Sequence, residues 1–224
     1  MIGVVIPYYK DKVALDKCLD ILHRQKLEVK IYIRDNSDDN IYFTKAINEG
    51  IRQLLLFDTK YILVLNQDCY LDYNCLEELV KYMESNPKCG ISAPVQYDSD
   101  GDIGWAGSRE SFPEGKVVED ILSINPYTTP WVCGACMLVR TDMIREIGLL
   151  DENMQFICSD SDYSFTARAR GWELYVVPDA KTTHDFGMSG GNDNYELNKI
   201  KHSDMTYYYH KWLSGGLYDY LKYK

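Results

Sequence analysis

Several segments of this chain are apolar on consecutive positions rather than alternate ones. "IGVVIPYY" (2–9), "YILVL" (61–65) and "GISAPVQY" (90–97) show no polar alternation. A strand of that kind has no side to turn to water, so it must be covered on both faces. The covering pieces lie between the strands. "ALDKCLDILHRQ" (14–25) sets Leu15, Cys18, Leu19 and Leu22 at helical spacing, "YFTKAINEGIRQLLLF" (42–57) has a helical pattern, and "NCLEELVKYMESNP" (74–87) closes on Asn86-Pro87. With a further strand at "KIYIRDNS" (30–37), the alternation predicts an α/β fold, with a Rossmann-like, mostly parallel sheet flanked by helices.

The second half is less regular. Residues 98–130 open with "DSDGDIGWAGSRESFPEGK", rich in Gly, Ser and charge, which reads as a long surface excursion, a lid or a hairpin. "WVCGACMLVR" (131–140) reads as a strand and "TDMIREIG" (141–148) as a short helix, with Thr141 as N-cap and Gly148 just past its end. "SDSDYSFTARARG" (159–171) reads as a helix and "WELYVVP" (172–178) as the final strand, followed by a Gly-rich stretch, "HDFGMSGGND", and an aromatic tail.

In open parallel sheets, ligands bind beyond the carboxyl ends of the strands. The residues there are Pro7, Tyr8 and Tyr9, then Asp35, Asn36 and Ser37, then Asn66, Gln67 and Asp68, with Asp160, Asp162 and His184 further on. The chain has neither a G-x-G-x-x-G after the first strand nor a G-x-x-x-x-G-K-[ST]. A carboxylate-rich rim without a phosphate loop suits a hard divalent cation, which takes oxygen ligands and brings phosphates with it. The formal net charge of −10 makes such a cation necessary for a phosphorylated ligand and argues against binding along a nucleic-acid backbone.

No apolar run reaches the ~20 residues of a membrane span, and "MIGVVIPYYKDK" lacks the basic start and cleavage site of a secretory signal. The expected location is therefore cytoplasmic. The locally basic, aromatic "KIKHSDMTYYYHKW" leaves room for peripheral contact with a membrane surface or a polyanionic acceptor. Seven cysteines are an odd count, best read as reduced, mostly buried thiols. Cys133 and Cys136 form a lone C-x-x-C with no second pair to complete a zinc ribbon, and strand alternation would send them to opposite faces.

"VVIPYYK", "IRDNSDD", "ILVLNQD", "WVCGACMLVR", "GLLDENM", "SDSDYSFTARARGW" and "TTHDFG" stand in an order and spacing that resembles the family 2 glycosyltransferases, in particular their rhamnosyltransferase-like bacterial branch. The resemblance covers roughly residues 1 to 190 and rests on the ordered set rather than on any one motif. It implies a GT-A fold with a nucleotide-sugar-binding half (1–97) and a smaller acceptor-binding half (98–190), followed here by an aromatic helical tail (191–224). It also implies transfer of a sugar from a nucleotide diphosphate to a hydroxyl acceptor, a glycan or glycoconjugate, with inversion at the anomeric carbon and Mn²⁺ or Mg²⁺ as cofactor.

Residue by residue, the resemblance places Pro7 and Tyr9 against the nucleoside. It puts Asp35 on the pyrimidine ring, uracil or thymine, with Asn36 and Ser37 shaping the turn. "NQD" stands for the D-x-D metal motif with Asn66 replacing the first acid, so Asp68 is the metal ligand. Asp160 matches the general base, and His184 matches a histidine near the diphosphate that completes the metal site. Trp131 and Asp162 fall on the acceptor side, while Asn66, Gln67 and Gly134 are counted with the donor-binding residues, Gly134 because a side chain there would fill the space of the donor sugar. Ser159 stands where a glutamate is usual.

Plainer readings accompany these. Ser159 and Asp162 form an S-x-x-D box that would cap a helix, which is compatible with catalysis by Asp160. Asp35 lies in a strong turn string. Gly134 is also consistent with a plain buried strand, and the C-terminal "TYYYHKWL" with a helix packing its aromatics on the domain. "FGMSGGND" (186–193) could close over the diphosphate or simply connect. Two rivals to an active transferase are a nucleotide-sugar-binding protein that has lost catalysis and a nucleotidyltransferase, though the latter requires a Gly-rich triphosphate loop that "IPYYKDK" does not supply.

Overall fold

The structure is a computed structural model that describes residues 1–109, 116–184 and 195–217. In chain order the elements are β1 (Ile2–Tyr8), α1 (Lys12–His23), β2 (Val29–Asp35), α2 (Tyr42–Leu54), β3 (Tyr61–Leu65), β4 (Cys69–Leu71), α3 (Cys75–Ser85) and β5 (Cys89–Tyr97). There follow β6 (Ile103–Trp105), β7 (Ser108–Arg109), β8 (Lys116–Val117), β9 (Tyr127–Thr128), β10 (Cys136–Arg140), α4 (Thr141–Ile147), α5 (Ser159–Ala169), β11 (Glu173–His184) and α6 (Tyr195–Tyr209), which runs into a π-helical turn, His210–Ser214.

The main sheet has the order β2-β1-β3-β10-β5-β11-β4. β1 pairs in parallel with both β2 and β3, and β5 in parallel with β11, whereas β10 and β4 run antiparallel to their neighbours. Because β10 is reversed, its amino end shares a rim with the carboxyl ends of β1, β2 and β3.

The doubly apolar strands divide their side chains between two layers. Val5, Ile62 and Val64 face α2 and α4 with Ile47, Ile51 and Met143; Val4, Ile6, Leu63 and Leu65 face α1 and α3 with Leu15, Leu22, Leu76 and Leu79. Each such side chain contributes roughly 1.5–3 kcal/mol on burial. Packing on the first layer is close enough to require a glycine: a Cβ on Gly50 of α2 would lie 2.4 Å from Cγ1 of Val5. α1 starts on a side-chain cap, with Asp11 accepting from the Ala14 N–H at 3.0 Å. The buried Arg140 at the end of β10 donates to the carbonyls of Cys89 (2.9 Å), Met83 (2.7 Å) and Asn86 (3.2 Å), closing the end of α3 and fixing it to the sheet.

Four local expectations need correction. The strand read at 131–140 begins only at Cys136, so Cys133 is not on it and the opposite-face argument does not apply. Thr141 is the first helical residue, not the cap; Arg140 holds that position without a side-chain cap bond. The excursion at 98–130 enters the core. Trp105 is 1% exposed and Ala106 and Val118 are buried, with β7 and β8 forming a small hairpin. One indole outweighs a polar composition when it can be covered. Finally, β11 does not stop at Pro178. A register shift between Val177 and Lys181 carries it past the proline, and it ends at His184.

Candidate active site

Pairing between β1 and β3 is recorded only through Val5↔Val64, whereas β1 stays paired with β2 through Tyr8↔Asp35. Pro7 lies in the stretch beyond the β3 pairing and has no N–H to continue it. The Gln67 side chain bridges the gap: its carbonyl oxygen accepts from the Tyr9 N–H at 2.7 Å and its amide donates to the Tyr9 carbonyl at 3.3 Å. The loop after β2 is tied to the same place, with the Asn36 N–H donating to the Tyr8 carbonyl (2.8 Å) and the Lys10 N–H to the Ser37 hydroxyl (3.3 Å). Asp35 is exposed at the tip. Its Oδ1 accepts from the Ser37 N–H at 2.8 Å, and Ser37 holds its carboxyl below the usual range.

Asp68 follows β3, and β4 begins at the next residue. β4 pairs with the far end of β11, matching Cys69 to His184. That pairing sets His184 Nε2 3.6 Å from Asp68 Oδ1, both side chains about one-tenth exposed. The extension of β11 beyond its proline is therefore what delivers the imidazole to the carboxylate. Among the described residues no group of three or more His, Cys, Asp or Glu is placed to hold a metal alone. A carboxylate and an imidazole that converge on one point nonetheless fit a hard cation that completes its shell with phosphate oxygens and water. Asn66 meets the opposite half through its backbone, its N–H donating to the Ala135 carbonyl at 2.8 Å.

Gly134 precedes Ala135, and its N–H donates to Asp160 Oδ2 at 2.8 Å; the Ser161 N–H donates to Asp160 Oδ1, also at 2.8 Å. A Cβ on Gly134 would lie 3.1 Å from the Asp160 Cβ, 3.1 Å from Cζ of Phe43 and 3.2 Å from Asp160 Oδ2. The space a side chain would fill here is thus taken by the Asp160 carboxylate and a phenyl ring. Burial pushes the Asp160 carboxyl above the usual aspartate value, against the pull of the Gly134, Ser161 and Asp160 N–H groups and the Ser161 hydroxyl. Trp131, half-buried, takes the hydroxyls of Ser108 and Thr129 on its carbonyl, each at 3.0 Å.

The expected capping box is absent. Cys158 occupies the cap of α5 in a left-handed conformation, Ser159 instead bonds Thr44 (Oγ to Oγ1, 2.8 Å), and Asp162 turns away. Asp162 is 2% exposed, and its carboxylate accepts from Trp212 Nε1 at 2.7 Å and from the Lys211 ammonium at 2.8 Å. The acceptor-side placement of Asp162 therefore gives way to a contact with the C-terminal helix, since a carboxylate this buried needs donors the pocket does not supply. Lys211 also reaches Asp151 at 2.9 Å, so this cation of the tail is turned inward. Asp204, fully buried, accepts from the N–H groups of Gln155, Phe156 and Ile157. These tail contacts had no local sequence signal beyond a cluster of aromatics.

The non-glycine residues with positive φ among those described are Lys10, in the loop after β1, Tyr42, at the start of α2, and Cys158, at the cap of α5. All seven cysteines are free, and burial pushes the Cys133 and Cys158 thiols up to about 12. The stretch 186–193 lies outside the described residues.

Comparison with known proteins identifies the family and the fold. The chain matches the model of "Glycosyltransferase like family 2" over residues 4–199. It is 25% identical over 181 residues to the N-acetylglucosaminyl-diphospho-decaprenol L-rhamnosyltransferase of two Mycobacterium tuberculosis strains, with 69% of this chain and 59% of the relative covered. This chain thus spans less than two thirds of that relative's length. Among solved structures, GalNAc-T7 with UDP, GalNAc and Mn²⁺ superposes with a TM-score of 0.68 at 15% identity, covering 83% of this chain and 44% of that one. The mannosyltransferase PcManGT of Pyrobaculum calidifontis with GDP-Man and Mn²⁺ gives 0.60 at 14% identity, covering 84% and 58%. The shared fold is GT-A, as the sequence resemblance implied.

Proposed function

The chain belongs to the family 2 glycosyltransferases, and we propose that it is a metal-dependent inverting enzyme that moves a sugar from a UDP- or dTDP-sugar to a hydroxyl of a glycan or glycoconjugate. The observation that carries this reading is a link of two consecutive residues. Ala135 binds the tip of β3, two residues before Asp68, and Gly134 binds Asp160, so the donor's phosphate end and a basic carboxylate are held by one piece of backbone.

The Gly134 and Ser161 N–H groups fix the Asp160 carboxylate, one on each oxygen, and so orient it toward an incoming hydroxyl. Asp160 takes the acceptor proton as the acceptor oxygen attacks the anomeric carbon from the face opposite the diphosphate. The carbon–oxygen bond to the diphosphate breaks and the nucleotide leaves, which inverts the centre. A base so placed contributes ~10²–10⁴-fold. Burial favours this role, because it makes the carboxylate a better proton acceptor than a surface aspartate. Asp68 and His184 would hold the Mn²⁺ or Mg²⁺, which when bound neutralises the diphosphate and the departing charge. Asp35, exposed and held by Ser37, would meet the pyrimidine imide, and the exposed Tyr9 ring would serve the nucleoside. Ser159 is turned onto Thr44, so the absent glutamate leaves Asp160 intact.

No helix among the described residues is long and apolar enough to cross a membrane. The mycobacterial relative's name specifies a decaprenol-linked diphosphate sugar. On that likeness we assign this chain an acceptor of related type, reached from the membrane surface on the cytoplasmic side. The test is release of nucleoside diphosphate from UDP- and dTDP-sugars with Mn²⁺, with chelator, and in Asp68→Asn. Release that requires metal and collapses in Asp68→Asn supports the reading. Release indifferent to both, or pyrophosphate formed from a nucleoside triphosphate, overturns it.

A further inference from the structure

We infer that the C-terminal helix and its π-helical turn belong to the catalytic apparatus, with Asp204, Lys211 and Trp212 acting as positioning residues for Asp160. This rests on Asp160 being the base. The backbone that leads into α5 and the first turn of α5 itself are both clamped by one short stretch of chain, residues 204–212. Asp204 accepts from three successive N–H groups, Gln155 at 2.9 Å, Phe156 at 2.7 Å and Ile157 at 3.0 Å, which fixes the strand of loop that ends three residues before Asp160. Lys211 and Trp212 both converge on Asp162, two residues beyond the base on the same turn, and Lys211 adds Asp151 at the start of the loop.

Two features argue that orientation, and not stability alone, is the purpose. Lys211 and Trp212 are adjacent in sequence, yet both meet the Asp162 carboxylate. They lie in the π-helical turn His210–Ser214, a widening that recurs at functional sites. Stability is already served by an apolar contact, in which Trp212 stands edge-on to Phe165 at 5.3 Å and Tyr208 stacks on it at 6.1 Å. Buried ion pairs return little stability beyond the desolvation they cost, and in some proteins their role is to fix geometry. Here such groups are gathered within a few residues of the base, where geometry sets the rate.

The experiment compares Lys211→Met, Lys211→Arg, Trp212→Phe and Asp160→Asn in the full chain, measuring kcat for transfer, nucleoside diphosphate affinity with Mn²⁺, and the urea midpoint. Lys211→Met and Trp212→Phe are expected to lower kcat on the order of 10–100-fold with nucleotide affinity unchanged. Lys211→Arg should recover most of the loss, since a guanidinium can serve both carboxylates. Trp212→Phe keeps the ring packing and carries the test if Lys211→Met does not fold. Wild-type kcat in folded Trp212→Phe or Lys211→Met, or nucleotide affinity falling in step with kcat, overturns the positioning role. Should Asp160→Asn retain turnover, the base assignment itself fails; should Asp160→Asn be inactive while both tail variants are fully active, only the positioning role fails.

Discussion

Gly134→Ala is a one-carbon perturbation aimed at the contact that joins the two halves of the site. Gly134 does not adopt a positive φ, so alanine fits its backbone and the effect is purely steric. The new methyl would sit 3.1 Å from both the Asp160 Cβ and Phe43 Cζ, and 3.2 Å from Asp160 Oδ2. Carbon contacts settle near 3.5–4.0 Å, so the neighbours must retreat by roughly half an ångström. Phe43 sits on α2 and Asp160 on the first turn of α5, so part of that retreat falls on the base. A full ångström of misplacement costs about 10²-fold, so half of one should lower kcat by about 10-fold. Overpacking should add a stability loss of ~1–3 kcal/mol. The assay is steady-state transfer alongside urea denaturation, with nucleotide affinity as the internal control. Wild-type turnover with an unshifted urea midpoint would show that Gly134 does not hold the carboxylate in place.

Gln67 is buried, and Gln67→Leu removes both of its bonds to the Tyr9 backbone, so it should cost about 1 kcal/mol in urea denaturation and weaken nucleotide binding. If neither quantity moves, Gln67 is not what closes the gap beyond Pro7. Arg140→Met strips three carbonyls of a charged donor and should lower stability by about 3 kcal/mol with kcat unchanged in the folded fraction. A kcat effect without a stability loss would contradict its purely architectural role. Burial raises the Asp160 proton affinity in the free protein, so the carboxylate is lost as pH falls through a value above the ordinary aspartate range, and the acid limb of kcat/KM should lie there. An acid limb at or below that range would show that another group controls the rate.

The sheet was legible because its strands are apolar on both faces, a pattern few alternatives accommodate, and because the acids Asp35, Asp68 and Asp160 stand at or near the ends of elements that could be placed. What could not be read depended on pairings distant in sequence. Nothing local to Pro178 says that β11 resumes after it; the partner strand decides, and with it the position of His184. Asp162 reads locally as a helix-start acid, and only the return of Trp212 and Lys211, about fifty residues on, gives it donors. Trp105 lies in a polar stretch, yet its indole is covered by residues from other strands. In each case a long-range contact overrode a correct local preference.

The most direct test of the proposed chemistry is single-turnover sugar transfer by Asp160→Asn, with nucleoside diphosphate affinity measured on the same preparation. A rate lowered by at least ~10²-fold with affinity unchanged is the expected result. Transfer at the wild-type rate would contradict the assignment of Asp160 as the base.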